Sequence, residues 1–240
     1  HPIPPIPEQE RIVGVLDEAF EGIATATVQA EKNLQNAREL FQSVLQSTFS
    51  QKGDDWVDLS LEGIKESSQI GLVKNKKSQG NELQYRYVKM NNISNDCTYD
   101  ETKITRVDAS ADEVEKYKLL DGDLLFNTRN SHELVGKSCI YKSINDEATL
   151  FNNNIMRIKF TEKAKGEFVA YALLSKEVKE QLSAMISGTT NVAAIYYRSL
   201  KTLKIPIPKP SIQIATVEKL DALSEETKRL EAIYQRKLDA

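Results

Sequence analysis

One stretch of this chain occurs twice. "PIPPIPEQERIVGVLDEAF" fills residues 2–20 and "PIPKPSIQIATVEKLDALS" fills residues 206–224, an offset of 204 positions. Aligned without gaps, Pro2, Ile3, Pro4, Gln9, Val13, Leu16 and Asp17 fall on Pro206, Ile207, Pro208, Gln213, Val217, Leu220 and Asp221. An internal repeat decides how a chain is divided, so it constrains everything between its copies.

After the first prolines, residues 8–49 contain no proline and only two glycines. Apolar or small residues recur at Leu16, Phe20, Ile23, Thr27, Ala30, Leu34, Ala37, Phe41, Val44 and Thr48, in alternating steps of 4 and 3. That seam predicts a long helix packed on a partner helix. Prolines suit its start, being tolerated in a first turn and excluded from a helix interior. Roughly 40 residues at about 1.5 Å each make a rod on the order of 60 Å. The second copy repeats the seam at Leu220, Leu223, Thr227, Leu230, Tyr234 and Leu238 and then stops at Ala240 with its heptads unfinished. The two seams predict an antiparallel pairing, within one chain or between two copies.

Residues 51–205 read differently. Short β-branched and aromatic runs, "YRYVKM" (85–90), "DLLFNTR" (123–129), "SCIYKSI" (138–144) and "NIMRIKF" (154–160), alternate with turn residues as strands of a mainly antiparallel sheet do. Helical spacing appears at 111–120 and at 166–186, the latter with Gly188 placed as a C-terminal cap. The expected fold class is α+β, with a globular unit over 51–205 flanked by helical regions over 1–50 and 206–240.

Little in the chain offers catalysis. His132 is the sole histidine besides His1, and Cys97 and Cys139 are the two cysteines, too few for a histidine dyad, a metal cluster or a disulfide framework. Both thiols are expected to be free and buried. The acid-x-Lys triplet in "DETK" (100–103) is of a kind that chance supplies in a chain so rich in charge. No apolar run is long enough to span a bilayer and no signal pattern opens the chain, which reads as cytoplasmic and without a membrane partner. The absence of an initiating Met marks His1 as a remnant, or the chain as cut from something longer.

The net charge of −3 argues against binding nucleic acid by sheer basicity, but the acidity is local. Residues 1–50 carry 3 basic and 7 acidic groups, residues 51–205 carry 23 and 22, and residues 206–240 carry 6 and 6. Three polar stretches stand out. "VKNKKSQG" (73–80) holds Lys74, Asn75, Lys76 and Lys77, cations suited to phosphate contacts. "FNTRNS" (126–131) offers Asn127, Thr128, Arg129 and Asn130, donors and acceptors that can read base edges. "SGTTNVAAIYYRSLK" (187–201) adds Thr189, Thr190 and Asn191 with Arg198 behind them, and Asn91 completes the candidate set. The ordinary alternatives are a solvated lysine loop, asparagine turns that bond their own backbone, and an Arg129 that braces Asp121 or Asp123.

The "PIPEQERIV" lead-in, "GDLLFNTRNSHELVGKSCIY", "FNNNIMRI", the "GTTN" loop running through "YYRSLKTLKIPIPKP", and "LDALSEETKRLEAIYQRKL" together resemble the specificity subunit of type I restriction-modification systems. The resemblance covers essentially the whole chain. It implies a non-catalytic reader of double-stranded DNA, one target recognition domain for one half of a bipartite site, held between two conserved helical regions that act as a ruler. A rod near 60 Å spans on the order of eighteen base pairs. The helices, through Leu16, Phe20, Ile23, Leu34, Phe41, Leu220, Leu223, Leu230 and Tyr234, would hold the spacing. The chain itself would need no cofactor, because S-adenosylmethionine belongs to the partner methyltransferase subunits, and the restriction subunit would join through the complex. A full subunit would carry a second recognition domain before His1, so the chain resembles a fragment or a natural half-subunit able to form a homodimer. The competing class is a coiled-coil adaptor whose globular unit binds protein or peptide.

Overall fold

The structure, a computed structural model, describes residues 3–145 and 147–239. His1 and Pro2, and with them the first pair of the repeat, lie outside the described residues. The chain forms two compact units, one made of the segments up to Val44 and from Lys219, the other of Leu45–Glu218. This division cuts each long helix, between Val44 and Leu45 and between Glu218 and Lys219.

The first unit is a helix pair. Helix α1 runs over Ile6–Ser50, 45 residues, and α7 over Pro210–Leu238, 29 residues. Arg38 of α1 donates from Nε to Glu231 of α7 at 2.7 Å. The seam positions Ala30, Ala37 and Phe41 are buried, as are Leu220 and Thr227, and Leu34, Leu223, Leu230 and Tyr234 are half-buried. Toward the start of α1 the expectation fails within this chain. Leu16, Phe20 and Ile23 are 47%, 63% and 61% exposed, since α7 is much shorter than α1 and leaves that part of the seam uncovered.

Among the described residues, the second unit contains four small sheets. β1 (Val57–Ser60) pairs with β13 (Lys204–Ile207), which carries the prolines of the second repeat copy, in a two-stranded antiparallel ladder. One four-stranded sheet, β2-β10-β6-β8, is antiparallel throughout and formed by Lys65–Ile70, Ile155–Phe160, Leu124–Asn127 and Ser138–Ile140. A second four-stranded sheet, β3-β5-β4-β9, comprises Gln79–Gly80, Thr105–Val107, Tyr85–Val88 and Thr149–Phe151, and its β4–β9 pairing is parallel. The third, β11-β12-β7, joins Ile186–Gly188, Ala193–Ile195 and Arg129–Asn130. Three short helices complete the strand connections, α2 (Leu61–Ile64), α3 (Ala111–Tyr117) and α6 (Tyr197–Leu200).

Every residue of β6 is buried, as a strand covered on both faces requires. Val88, Leu125, Cys139, Phe151 and Ile155 form one apolar cluster. The two cysteines are free. Cys139 is buried and its thiol is pushed up by desolvation, whereas Cys97 is only half-buried. The single helix expected over 166–186 is two, α4 (Gly166–Leu174) and α5 (Lys176–Met185), broken at Ser175. Gly188 is not a helix cap but a strand residue at φ +125°, where a Cβ would sit 2.3 Å from the Val192 carbonyl oxygen.

Helix α7 is anchored at its first turn. Gln213, with no exposed surface, donates from Nε2 to the Pro208 and Lys163 carbonyls at 2.8 Å each, and its Oε1 accepts from Lys165 N–H at 2.8 Å. A buried amide with its donors and acceptor all engaged fixes the geometry of the turn it holds.

Candidate nucleic-acid interface

The lysine loop divides into a brace and a free pair. Asn75 caps a single 3-10 turn at Lys76–Ser78, its Oδ1 accepting from Ser78 N–H at 2.9 Å. That cap leaves Lys76 and Lys77 exposed, and among the described residues neither meets a carboxylate. Lys74, expected to contact phosphate, is instead engaged. Its Nζ lies 2.9 Å and 3.1 Å from the two oxygens of Glu113 in α3. Lys74 and the Ser110 N–H together hold the Glu113 carboxyl below the usual carboxylate range.

The tetrad at 127–130 is also split by burial. Asn127 has no exposed surface, and its Oδ1 accepts from Arg129 N–H at 3.2 Å. Its Nδ2 is buried with no partner among the described residues. Thr128 is 8% exposed and spends its hydroxyl on the Asn154 carbonyl at 3.0 Å. Both side chains are thus turned into the fold rather than presented to solvent. Together they form the turn that projects Arg129, which is exposed, and Asn130, which is half-buried. Arg129 does not brace the nearby acids. Asp121 accepts from Ser143 N–H at 2.8 Å. Asp123 is buried against Arg157 and Lys159 at 3.8 Å and 3.9 Å, with burial pushing its carboxyl up.

The third stretch lies beside the second. β12 pairs with β7, setting Ala193 opposite Asn130 and Ala194 opposite Arg129. His132 N–H donates to the Thr190 carbonyl at 2.9 Å, and Ile195 N–H to the Thr128 carbonyl at 3.0 Å. The hairpin between β11 and β12 is closed by Thr189 N–H to the Val192 carbonyl at 2.9 Å, so Thr189, Thr190 and Asn191 form its exposed tip. Arg198 is exposed and stacks its guanidinium over the Tyr196 ring, 5.6 Å from the centroid. Asn91 is exposed in a separate 3-10 turn, Met90–Asn92, and no hydrogen bond described for it reaches the other stretches.

A cavity of about 380 Å³ ties these segments together, with Ile70 and Val73 from the approach to the lysine loop, Thr128 and Arg129 from the tetrad, and Ala194 and Tyr196 beyond the hairpin. Sequence reasoning passed over Tyr196, Val73 and Ile70. The available signal was a Tyr-Tyr pair directly after the buried "AAI" and an aliphatic residue opening a lysine loop. Tyr197 is locked in place, its hydroxyl donating to Glu62 and its ring covered by Lys65 Nζ at 5.2 Å. Tyr196 is 47% exposed. A second cavity, of about 440 Å³, is lined by Glu66, Asp121, Asp123, Glu162 and Glu167 against Lys159 and Lys165, the wrong balance for a phosphate. Among the described residues no group of His, Cys, Asp and Glu is placed to hold a metal, and no helix is long and apolar enough to cross a membrane.

Residues 53–237 match the family described as the type I restriction modification DNA specificity domain. The putative type I restriction enzyme MjaX specificity subunit of Methanocaldococcus jannaschii is 30% identical over 157 residues, 65% of this chain and 36% of that protein. The type I restriction enzyme EcoKI specificity subunit of Escherichia coli K12 is 23% identical over 234 residues, 92% of this chain and 50% of that protein. Among solved structures, the HsdS subunit from Thermoanaerobacter tengcongensis superposes with a TM-score of 0.60 at 19% identity, covering 99% of this chain and 59% of that one. A chain from a structure of type I R-M complex assembly gives a TM-score of 0.68 at 20% identity with the same coverage. The chain thus spans half or less of the length of these curated relatives.

Proposed function

The chain belongs to the type I restriction modification DNA specificity family, and from that premise we propose that it is a non-catalytic reader of one half of a bipartite site in double-stranded DNA. In this reading the helix pair docks methyltransferase subunits, which bring S-adenosylmethionine and the methylation chemistry, and a restriction subunit joins through that complex in the cytoplasm. The observation that carries the reading is the β7–β12 pairing, which gathers Arg129 and the Thr189–Asn191 tip on one exposed face. Phosphate contacts fall to Lys76, Lys77 and Arg198, and base contacts to Arg129, Asn130 and the hairpin tip. Arg can pair in bidentate fashion with guanine O6 and N7, Asn with adenine N6 and N7. Helix α1, at about 1.5 Å per residue, is roughly 70 Å long and spans about twenty base pairs, enough to set the distance between two half-sites.

The test is a binding titration on random duplex across salt concentrations, followed by a methylome of cells expressing the full system. The reading requires affinity that falls steeply with salt and methylation at a split site, one half of which changes when residues 127–130 and 189–191 are exchanged for those of a relative. A chain that binds no duplex at low salt, and is captured by peptide or protein instead, would be the coiled-coil adaptor.

A further inference from the structure

The cavity between the lysine loop and the hairpin has used up most of its polar groups. Thr128 spends its hydroxyl on Asn154, and Tyr197 spends its own on Glu62. Apart from Arg129 and the half-buried Asn153, what remains on the walls is mainly apolar and open to water: Ile70 is 44% exposed, Val73 71% and Tyr196 47%, over a floor that includes Met156 at 4%. Single exposed aliphatics are ordinary on a protein surface. Three lining one recess, with the cation Arg129 among its lining residues, are an apolar site in a place that faces an anionic partner.

In the major groove the one apolar group offered by a base is the 5-methyl of thymine, and the acceptors of guanine are the natural match for an arginine. We infer that this recess receives the 5-methyl group of a thymine in the recognised half-site, adjacent to a base pair read by Arg129, with Val73, Ile70 and Tyr196 as the specificity-determining contacts. The inference rests on the reading of the chain as a DNA specificity protein. It adds a hydrophobic criterion to a surface otherwise described by hydrogen bonds and charge. Burying one methyl group strengthens an association by roughly four-fold, from a transfer free energy of about 0.8 kcal/mol.

The experiment uses the protein assembled with its methyltransferase partner and a duplex carrying the half-site found from the methylome. Each thymine is replaced in turn by deoxyuridine, which removes the methyl and leaves every hydrogen-bonding group in place. One position should lose about three- to ten-fold in affinity, and the thymine-to-uracil ratio at that position should collapse toward one in Val73→Ser and in Ile70→Ser, two substitutions at exposed sites read independently. A half-site without thymine, no sensitive position, or a ratio unchanged in both variants would overturn the inference while leaving DNA recognition intact. Absence of any sequence-dependent duplex binding would overturn both.

Discussion

Gln9 and Gln213 make the same bond 204 positions apart. Gln9 Nε2 donates to the Pro4 carbonyl at 2.7 Å, and Gln213 Nε2 to the Pro208 carbonyl at 2.8 Å. The repeated sequence therefore folds into a repeated helix start. Surroundings differ completely. Gln9 is exposed, whereas Gln213 is fully buried and also ties down Lys163 and Lys165.

Equivalent substitutions at the two positions should accordingly have unequal effects. Gln213→Ala takes the side-chain partner from the Pro208 and Lys163 carbonyls and from the Lys165 N–H and should cost about 1–3 kcal/mol. Gln9→Ala should stay within about 0.5 kcal/mol, as exposed changes do. Denaturant unfolding of both variants checks this, and equal losses would mean that the local bond, not the buried one, sets the stability.

Gly71, like Gly188, is a position where the second unit has no room for a side chain. Its N–H donates to Ile155 at 3.1 Å, and a Cβ there would lie 2.3 Å and 2.4 Å from the Phe151 and Asn152 carbonyl oxygens. Both obstacles are backbone, so relief requires moving a strand. Gly71→Ala should cost at least about 2 kcal/mol and should weaken half-site binding by displacing Ile70 and Val73. Thermal melting together with a binding titration would read both effects.

The lysines of one loop should behave in two ways. Lys76→Ala and Lys77→Ala should each lower the slope of log affinity against log salt by roughly one unit, on cognate and random duplex alike. Lys74→Ala should instead alter the pH dependence of stability. The Glu113 carboxyl lies below its ordinary 4.5 in the folded chain, so its contribution is present above that value and is lost as pH falls through the lowered one. Melting curves between pH 3 and pH 6 should therefore be flatter for Lys74→Ala than for the parent chain.

Arg129→Ala should cost about 1–3 kcal/mol on the cognate half-site with little change in melting temperature, since the side chain is exposed and braces neither Asp121 nor Asp123. Asn127→Ala should do the reverse in kind, destabilising the turn by about 1 kcal/mol through the lost bond to Arg129 N–H. A competition assay beside calorimetry separates the two.

What could be read in advance was whatever repeats or alternates locally. The helix seam over Ala30, Leu34, Ala37 and Phe41 carries its own period, and the lead-in prolines and the short β-branched and aromatic runs that became β4, β6, β8 and β10 carry their own composition. Three features do not. Asn127 ends a strand covered on both faces, so polarity there gave no hint of burial. The break at Ser175 is imposed from far away, because Gln46 of α1 accepts from Lys176 N–H at 2.7 Å and caps the second helix. The pairing of β7 with β12 joins residues more than sixty positions apart through two short strands whose sequences say nothing of each other.

Val57 and Ile207 face each other across the β1–β13 ladder, so the polypeptide leaves the globular unit beside the point at which it came in. Adjacent ends are what make an insertion tolerable to its host. The two-strand clasp closes this segment on itself, so a change of length between the strands need not separate Val57 from Ile207.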